Sequence, residues 1–303
     1  MSRSVLIIGG RNTDHGESEV MAGYASYFIK GVKNVTASYA HFDDLSFVIA
    51  PDRFAIYDHR NECSLDTYDL IVFRGKIRIN NELAYCVSRY CTLNNIQFFN
   101  DYTPYRPASK VSQAVTFHEL GVQFTKTVYA MRPDILRRVV ETELTTPFIL
   151  KDSYGSHGND NYLVNSFDAA VAILNDSSEK KFIAQEFFPN DCDYRILCIG
   201  AETFIIRRRA NRESHLNNTS QGGTAEIVPE TFFPSVSIEQ AHAIASDLRM
   251  GIAGVDLLYN ENTGEYAFLE VNSQPQLNSG AFPAEKQEVV RRYINLLLDR
   301  VTG

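Results

Sequence analysis

The chain lacks the sequence signals of several large protein classes. Its five cysteines among 303 residues are odd in number and never spaced as CxxC, which favours free thiols in a reducing compartment over a disulfide framework. No apolar stretch approaches a membrane span, and residues 4–9 are too short for a secretory signal. The net charge of −8 argues against nucleic acid as the main partner. We therefore expect a cytoplasmic protein with no membrane and no nucleic-acid partner.

Two nucleotide-binding signatures are absent as well. No Walker pattern occurs, and the Gly9-Gly10 pair after the first apolar run lacks the GxGxxG spacing of a dinucleotide site. Instead, strand-like apolar segments alternate with helical patterns, at residues 5–10, 18–30, 70–75, 81–94 and 97–99. This alternation predicts a small parallel-sheet domain over roughly the first hundred residues.

Two cations follow the second strand of that domain. Ligands of parallel sheets bind beyond the carboxyl ends of the strands, which is where Arg74 and Lys76 fall. Both are candidate contacts for an anionic substrate, although a surface position would explain either side chain equally well.

A segment with two prolines, residues 101–107, predicts a linker. Ser109 can cap a helix that runs to about Leu120. Lys110 then lies in the first helical turn, where a cation opposes the helix dipole. Such an unfavourable position hints at a functional lysine.

A strand that ends in Lys151 leads directly into a loop rich in glycine and serine, residues 152–160. Backbone N–H groups of such a loop can hold phosphates while the lysine supplies charge, which makes Gly155, Ser156 and Gly158 candidate contacts. A plain surface hairpin turn fits the same residues.

A β-hairpin is predicted to turn at Gly200-Ala201. With a two-residue turn, Asp193 faces Arg208, and Arg195 shares their face, whereas a slip of one residue would substitute Arg209. Three charges together favour an anionic ligand over a single structural salt bridge. The polar stretch that follows, residues 211–224, predicts a mobile loop with the character of a lid.

A second hairpin, residues 254–273, carries the central candidate site. If it is symmetric, Asp256 faces Glu270, and Asn272 lies on the same face. Two directly opposed carboxylates repel, so a cation is expected between them. Three hard oxygen ligands without His or Cys suit Mg²⁺ or Mn²⁺, while a solvated polar face is the alternative.

The same symmetry makes Leu258 face Phe268. Side chains alternate along a strand, so the opposite face of this hairpin is apolar. Its predicted core residues are Val255, Leu257, Leu269 and Val271.

These pieces together resemble the ATP-grasp superfamily, most closely its branch of RimK-type glutamate ligases and prokaryotic glutathione synthetases. The resemblance covers about residues 110–278. The motifs that carry it are, in order, Lys110; Lys151 with its glycine loop; Gln185-Glu186-Phe187; Asp193-x-Arg195; Arg208 to Gly222-Gly223; Asp256; and Glu270-x-Asn272.

The resemblance implies an α/β and α+β chain in three parts. A small parallel-sheet (pre-ATP-grasp) domain would occupy residues 1–101. A two-subdomain ATP-grasp fold would follow, with the glycine-rich loop in a central subdomain, residues 102–183, and the metal-binding hairpin in a C-terminal subdomain, residues 184–303.

The resemblance also implies that ATP is clamped between the two subdomains, together with two Mg²⁺ ions or, alternatively, Mn²⁺. The positions it assigns to the nucleotide are Lys110, Lys151, Gly155, Ser156, Gly158, Glu186, Phe187, Phe188, Asp193 and Arg195. It assigns the metals to Asp256, Glu270 and Asn272, and the transferred phosphate to Arg208 and Asn218.

The chain departs from the family pattern in its loops. Leu216 stands where an arginine is usual, Gln221 stands where RimK-type proteins have a basic residue, and Asn159-Asp160 replace glycine late in the glycine loop. A cation that usually faces the substrate is therefore missing, and the change bears on glutamate transfer more than on ATP or metal binding. Gln221 joins Arg74 and Lys76 as a candidate substrate residue.

The function implied by the resemblance is an ATP-dependent carboxylate–amine ligase that forms an amide or peptide bond through an acyl phosphate. Its partners would be a small-molecule or peptide carboxylate and an amine, such as an amino acid. Two alternatives remain open: an ATP-grasp kinase that phosphorylates a small molecule, and a non-catalytic ATP-binding regulatory protein. Homo-oligomers are common in similar proteins, and no local feature decides assembly here.

Overall fold

A computed structural model describes residues 2–11, 17–104, 107, 109–155, 160–177, 179–190, 192–209 and 224–302. The strands are β1 (Arg3–Gly9), β2 (Val35–His41), β3 (Leu45–Ala50), β4 (Arg53–Asp58), β5 (Cys63–Ser64), β6 (Leu70–Phe73), β7 (Gln97–Phe99), β8 (Thr127–Tyr129), β9 (Phe148–Asp152), β10 (Asn161–Val164), β11 (Phe182–Glu186), β12 (Cys192–Ile199), β13 (Glu202–Arg209), β14 (Thr224–Val228), β15 (Ile252–Tyr259) and β16 (Tyr266–Asn272). The helices are α1 (Glu17–Ile29), α2 (Asn81–Leu93), α3 (Lys110–Glu119), α4 (Pro133–Glu143), α5 (Phe167–Asp176), α6 (Ser235–Asp247) and α7 (Pro283–Asp299). None of these helices is long and apolar enough to cross a membrane.

The predicted parallel sheet forms in the N-terminal part, with strand order β2-β1-β6-β7. Apolar residues of β1 and β6 are buried on both faces of this sheet, as expected when helices cover both sides. A second, antiparallel sheet of β3, β4 and β5 lies between β2 and β6 along the chain, and the sequence patterns did not predict it. All five cysteines have free thiols, as predicted.

The central sheet has the order β10-β9-β11-β8, and α4 and α5 pack against it. Strands β9 and β10 form the hairpin whose connection contains the glycine loop. Because β11 pairs with both β8 and β9, the predicted boundary after residue 183 falls inside a strand of this sheet. The central sheet therefore extends to Glu186.

The C-terminal sheet has the order β14-β13-β12-β15-β16 and carries both predicted hairpins. Asp193 faces Arg208 in the first hairpin, as the two-residue turn predicts. Asp256 faces Glu270 in the second hairpin, also as predicted. Strands β12 and β15 are neighbours, which places Arg195 directly opposite Asp256 and joins the two charged faces into one.

The predicted pairing of Leu258 with Phe268 is wrong. The register shifts between Asp256 and Leu257, so Leu257 pairs with Phe268 and Leu258 pairs with Ala267. A bulge inserts one extra residue into one strand and changes which side chains face the core. Phe268 is accordingly buried in the core beside β15, in the place predicted for Leu269, which is only half-buried.

The N-terminal sheet and the C-terminal sheet share a core around α7. Asn100, just after β7, is 2% exposed, and its amide bonds the backbone of Ile252 twice and Ser273 once, at 2.9 Å each. Helix α3 packs against β16, and its Phe117 lies in the C-terminal core. The charged face of the C-terminal sheet is thereby held next to both other parts of the molecule.

Candidate nucleotide and metal site

Two arginines hold Asp256 from one side. Arg195 donates from Nε and Nη2 to the two carboxylate oxygens at 2.7 Å each, and Arg208 Nη2 lies 3.2 Å from Oδ2. Arg208 also donates from Nε to Asp193 at 2.6 Å. The three charges predicted to share a face therefore form one ion-pair network with Asp256 at its centre.

This network shifts the pKa values of its two acids in opposite directions. Burial raises the pKa of Asp193, and the negative charge of Asp256 adds to that, although Arg208 opposes both effects. Burial acts the same way on Asp256, but Arg195 and Arg208 outweigh it and hold the pKa of that carboxyl well below its usual range. Asp256 is therefore the stronger acid of the two and keeps its negative charge to lower pH than Asp193 does.

Glu270 and Asn272 lie on the next strand of the same face. The side-chain amide of Asn272 donates to Glu270 Oε1 at 3.0 Å, which leaves the Asn272 carbonyl oxygen as an acceptor. A carboxylate has about four lone-pair sites, and the arginines use three on Asp256. The three predicted ligands thus offer oxygen donors of the kind that Mg²⁺ prefers. Within the described ranges, no group of three or more His, Cys, Asp or Glu forms a metal cluster, so the set depends on the Asn272 amide.

Lys110 is the first residue of α3, and Ser109 caps the helix as predicted. Its Nζ donates to Gly155 O at 2.6 Å and to Asp152 O at 3.2 Å, so the lysine lies against the start of the glycine loop. Burial lowers the pKa of Lys110, and the nearby charge of Glu270 partly offsets this. Lys110 therefore connects the loop with the acidic strand.

Lys151, on β9, is 7% exposed. Within the described part of the chain its ammonium has no hydrogen bond or ion pair. Its pKa is lowered to about 8, chiefly by burial; Glu270 opposes this, Lys110 adds to it, and Asp256 opposes it more weakly. A buried cation without a bonded acid is a poor structural element but a suitable contact for an anionic ligand.

The segment predicted to hold adenine connects the central and C-terminal sheets. Glu186 ends β11 and is exposed, and Phe187 and Phe188 follow it half-buried. The side-chain amide of Gln185 donates to Thr127 at 2.7 Å, which fixes the strand just before them. Their predicted contact with adenine stays a prediction, as does the ribose role of Asp193.

Four predicted site residues, Ser156, Gly158, Asn218 and Gln221, lie outside the described residues, as does Leu216. Gly155 is the last residue described before the gap in the glycine loop, and its carbonyl accepts from Lys110. The predicted roles of the four residues remain predictions.

Arg74 is buried against the segment after β16. It is 5% exposed, its guanidinium donates to the carbonyl of Pro275, and it lies over the Tyr24 ring at 5.2 Å. Burial lowers its pKa. This geometry makes Arg74 a structural tie between the N-terminal sheet and the segment after β16, and its predicted substrate contact stays a prediction. Lys76 is exposed and has a left-handed backbone.

Gln113 is a site residue that the sequence patterns missed. It lies on α3, three residues after Lys110, and is nearly buried. Its amide donates to Val271 O at 3.2 Å and accepts from Val271 N at 3.0 Å, which fixes the strand between Glu270 and Asn272. The signal in the sequence was its spacing of one helical turn from Lys110, which places both side chains on one face.

Residues 109–286 match the family profile of the RimK-like ATP-grasp domain. This match covers more than half of the chain. The chain belongs to the RimK-like ATP-grasp family.

A probable alpha-L-glutamate ligase of Vibrio atlanticus (strain LGP32) is 28% identical over 179 residues, which is 57% of this chain and 57% of that protein. The chain thus matches little more than half the length of this relative. The structure of the ATP-grasp ligase PsnB, complexed with a phosphomimetic variant of minimal precursor, Mg and ADP, superposes with a TM-score of 0.71 at 11% identity over 98% of each chain. A Chryseobacterium gregarium RiPP-associated ATP-grasp ligase, in complex with ADP and a leader and core peptide, superposes with a TM-score of 0.65 at 14% identity over 98% of this chain and 97% of that one. These likenesses show the fold of this RimK-like protein.

Proposed function

We propose that this RimK-like protein is an ATP-dependent carboxylate–amine ligase that forms an amide bond through an acyl phosphate. The observation that carries this proposal is the pair Lys110 and Lys151, two partly or fully buried cations that lie beside Glu270. Cations held in a low-dielectric site favour an anion with several charges. The phosphates of ATP have that chemistry.

Glu270, Asn272 and the remaining lone pair of Asp256 would hold Mg²⁺, because their donor set is three hard oxygens. When bound, Mg²⁺ neutralises phosphate charge during phosphoryl transfer. The same proposal includes two Mg²⁺ ions or, alternatively, Mn²⁺ in their place. Gln113 fixes the strand that carries two of these ligands.

The chemistry needs two transfers. A substrate carboxylate oxygen attacks the γ-phosphorus of ATP, and ADP leaves. The amine nitrogen then attacks the acyl carbon, inorganic phosphate leaves, and the nitrogen loses a proton. Lys151 and Lys110 would hold the phosphates in line, and Arg208, within the Asp256 network, would lie nearest the transferred phosphate together with Asn218.

Named relatives support a peptide or amino-acid substrate. The Vibrio atlanticus relative is named a probable glutamate ligase, and the two solved ligases are complexed with precursor or with leader and core peptides. We infer a carboxylate of a peptide or amino acid and an amine as the two substrates here. The five free thiols support a reducing compartment such as the cytoplasm.

The test is a screen of carboxylate and amine pairs for phosphate release, with mass spectrometry of the products. A ligase releases ADP and phosphate only when both substrates are present, and its product gains the mass of an amide. Phosphate transfer to a hydroxyl without any amine would refute the ligase function and show a kinase.

A variant pair tests the site in the same assay. Glu270→Ala should abolish ATP turnover with the fold intact, since it removes a metal ligand and the acid beside both lysines. Glu265→Ala is the matched control, because Glu265 is exposed in the turn of the same hairpin. Unchanged turnover in Glu270→Ala would refute the metal assignment.

A further inference from the structure

Arg78 reaches from the N-terminal domain to the glycine loop. It lies in a short 3₁₀ turn, Ile77–Asn80, which follows β6. Ile77 is 2% exposed and anchors the turn in the N-terminal core. Arg78 itself is exposed, and its guanidinium carbon lies 5.6 Å from the centre of the Tyr154 ring. Tyr154 precedes Gly155, to which Lys110 is bonded.

The turn that carries Arg78 is held rigidly against the end of β1. Gly10 N donates to Gly75 O at 3.0 Å, and the Asn80 amide donates to Lys76 O at 3.3 Å. A Cβ on Gly10 would lie 2.3 Å from Asn80 Nδ2 and 2.7 Å from Lys76 O. The Gly9-Gly10 pair therefore serves this close approach, and it fixes the place of Arg78 relative to the sheet.

Arg78 and Lys110 are close enough for their charges to interact. Burial is the main reason that the pKa of Lys110 is lowered, and the positive charge of Arg78 contributes. Among the described residues, no acid forms an ion pair with Arg78. The carboxylates of Glu270 and Asp152 act on Lys110, whereas Arg78 has no described acid partner, so an anion that binds beside Arg78 would supply the missing negative charge.

We propose that Arg78 binds the carboxylate of the acid substrate and holds it against the phosphate that Lys110 and Lys151 position. This inference rests on the proposed ligase function. The Arg78 guanidinium lies over the Tyr154 ring, and no described hydrogen bond uses its N–H groups, so they can make a bidentate contact with a carboxylate. The acid would thus bind on the side of the site that the N-terminal domain provides.

The experiment compares wild type with Arg78→Ala, Arg78→Lys and the control Arg89→Ala. Arg89 lies on α2 of the same domain, is exposed, and has no described ion pair, so it matches Arg78 in charge but not in position. Calorimetric titration of each protein, with Mg²⁺ and ADP present, uses two probes: free L-glutamate and a peptide of four glutamates. The same titration measures ADP affinity in the absence of either probe.

Arg78→Ala should weaken binding of one probe by about ten- to a hundred-fold, since it removes a charge-assisted contact, while ADP affinity stays within about two-fold. Arg78→Lys should recover part of the loss, and Arg89→Ala should bind as wild type. The probe that binds tells a free acid from a peptide side chain.

Equal binding by wild type and Arg78→Ala would overturn the proposal. So would a loss confined to ADP, since Arg78 would then contact the nucleotide, or wild type that binds neither probe. Binding that depends on Arg78 in a protein that forms no amide with any amine would support the carboxylate site and refute the ligase function.

Discussion

The buried positive charge of Lys151 should lower the free energy of unfolding of the protein. The residue is 7% exposed, and burial is the main reason that its pKa is lowered from an ordinary value of 10.5 to about 8. Each pKa unit corresponds to about 1.36 kcal/mol, so keeping Lys151 charged in the folded protein at pH 7 costs about 3 kcal/mol. Lys151→Met keeps the length of the side chain and removes the charge. The variant should therefore unfold at higher urea concentration than wild type at pH 7.

The direction of the Lys151 pKa shift determines how stability depends on pH. The folded pKa of Lys151 lies below the unfolded one, so between about pH 8 and 10.5 the unfolded chain binds more protons than the folded protein. Stability of wild type should rise with pH across that window, whereas the variant should show no such rise. The difference of about 3 kcal/mol at pH 7 should shrink to about zero by pH 10.5. Urea unfolding followed by far-ultraviolet circular dichroism at several pH values measures this.

Lys33→Met is the control, because Lys33 is exposed and should give equal stability to wild type at every pH. The reasoning on Lys151 would be refuted if Lys151→Met were no more stable than wild type at pH 7, since the ammonium would then be satisfied in the native protein. Gain of stability should come with loss of ATP turnover, because the same charge would hold phosphate. Saturating ATP should stabilise wild type and leave the variant unchanged.

Three further substitutions probe the framework of the site. Arg195→Ala leaves the buried Asp256 with one arginine instead of two and should lower the free energy of unfolding by about 3 kcal/mol, measured by urea titration. Asn100→Ala leaves buried backbone groups of Ile252 without partners and should cost about 2–3 kcal/mol in the same titration, and a loss below about 0.5 kcal/mol would contradict the bonding. Gln113→Leu should lower Mg²⁺ affinity, measured by calorimetry with ADP present, while the melting temperature should change little.

Pairing within the two hairpins could be predicted because short turns fix the register of their strands. The two-residue turn at Gly200 sets Asp193 opposite Arg208, and polar residues then fall on one face by alternation. The longer turn after Tyr259 predicted Asp256 opposite Glu270 but not the shift beside Leu257. A bulge changes the count by one residue and leaves no composition signal, so the sequence alone could not place it.

Contacts between distant parts of the chain were harder to predict from the sequence. Arg74 and Arg78 lie four residues apart after the same strand, yet only Arg78 reaches the glycine loop, while Arg74 turns inward to Pro275. Sequence order gives which strand end a side chain follows, but not which neighbour from another domain covers it. The antiparallel sheet β3–β5 was missed for a related reason, because its exposed strands alternate only weakly between buried and exposed side chains.

The site has a different sign of charge from the chain that builds it. The chain carries a net charge of −8, which argues against nucleic acid as its main partner. Among the described residues of the site, four carboxylates meet five cations: Asp152, Asp193, Asp256 and Glu270 against Lys110, Lys151, Arg78, Arg195 and Arg208. The cation expected between Asp256 and Glu270 is thus partly supplied by the protein, through arginines at Asp256 and lysines beside Glu270. The surplus of positive charge that remains is what a triphosphate and an acid substrate would neutralise together.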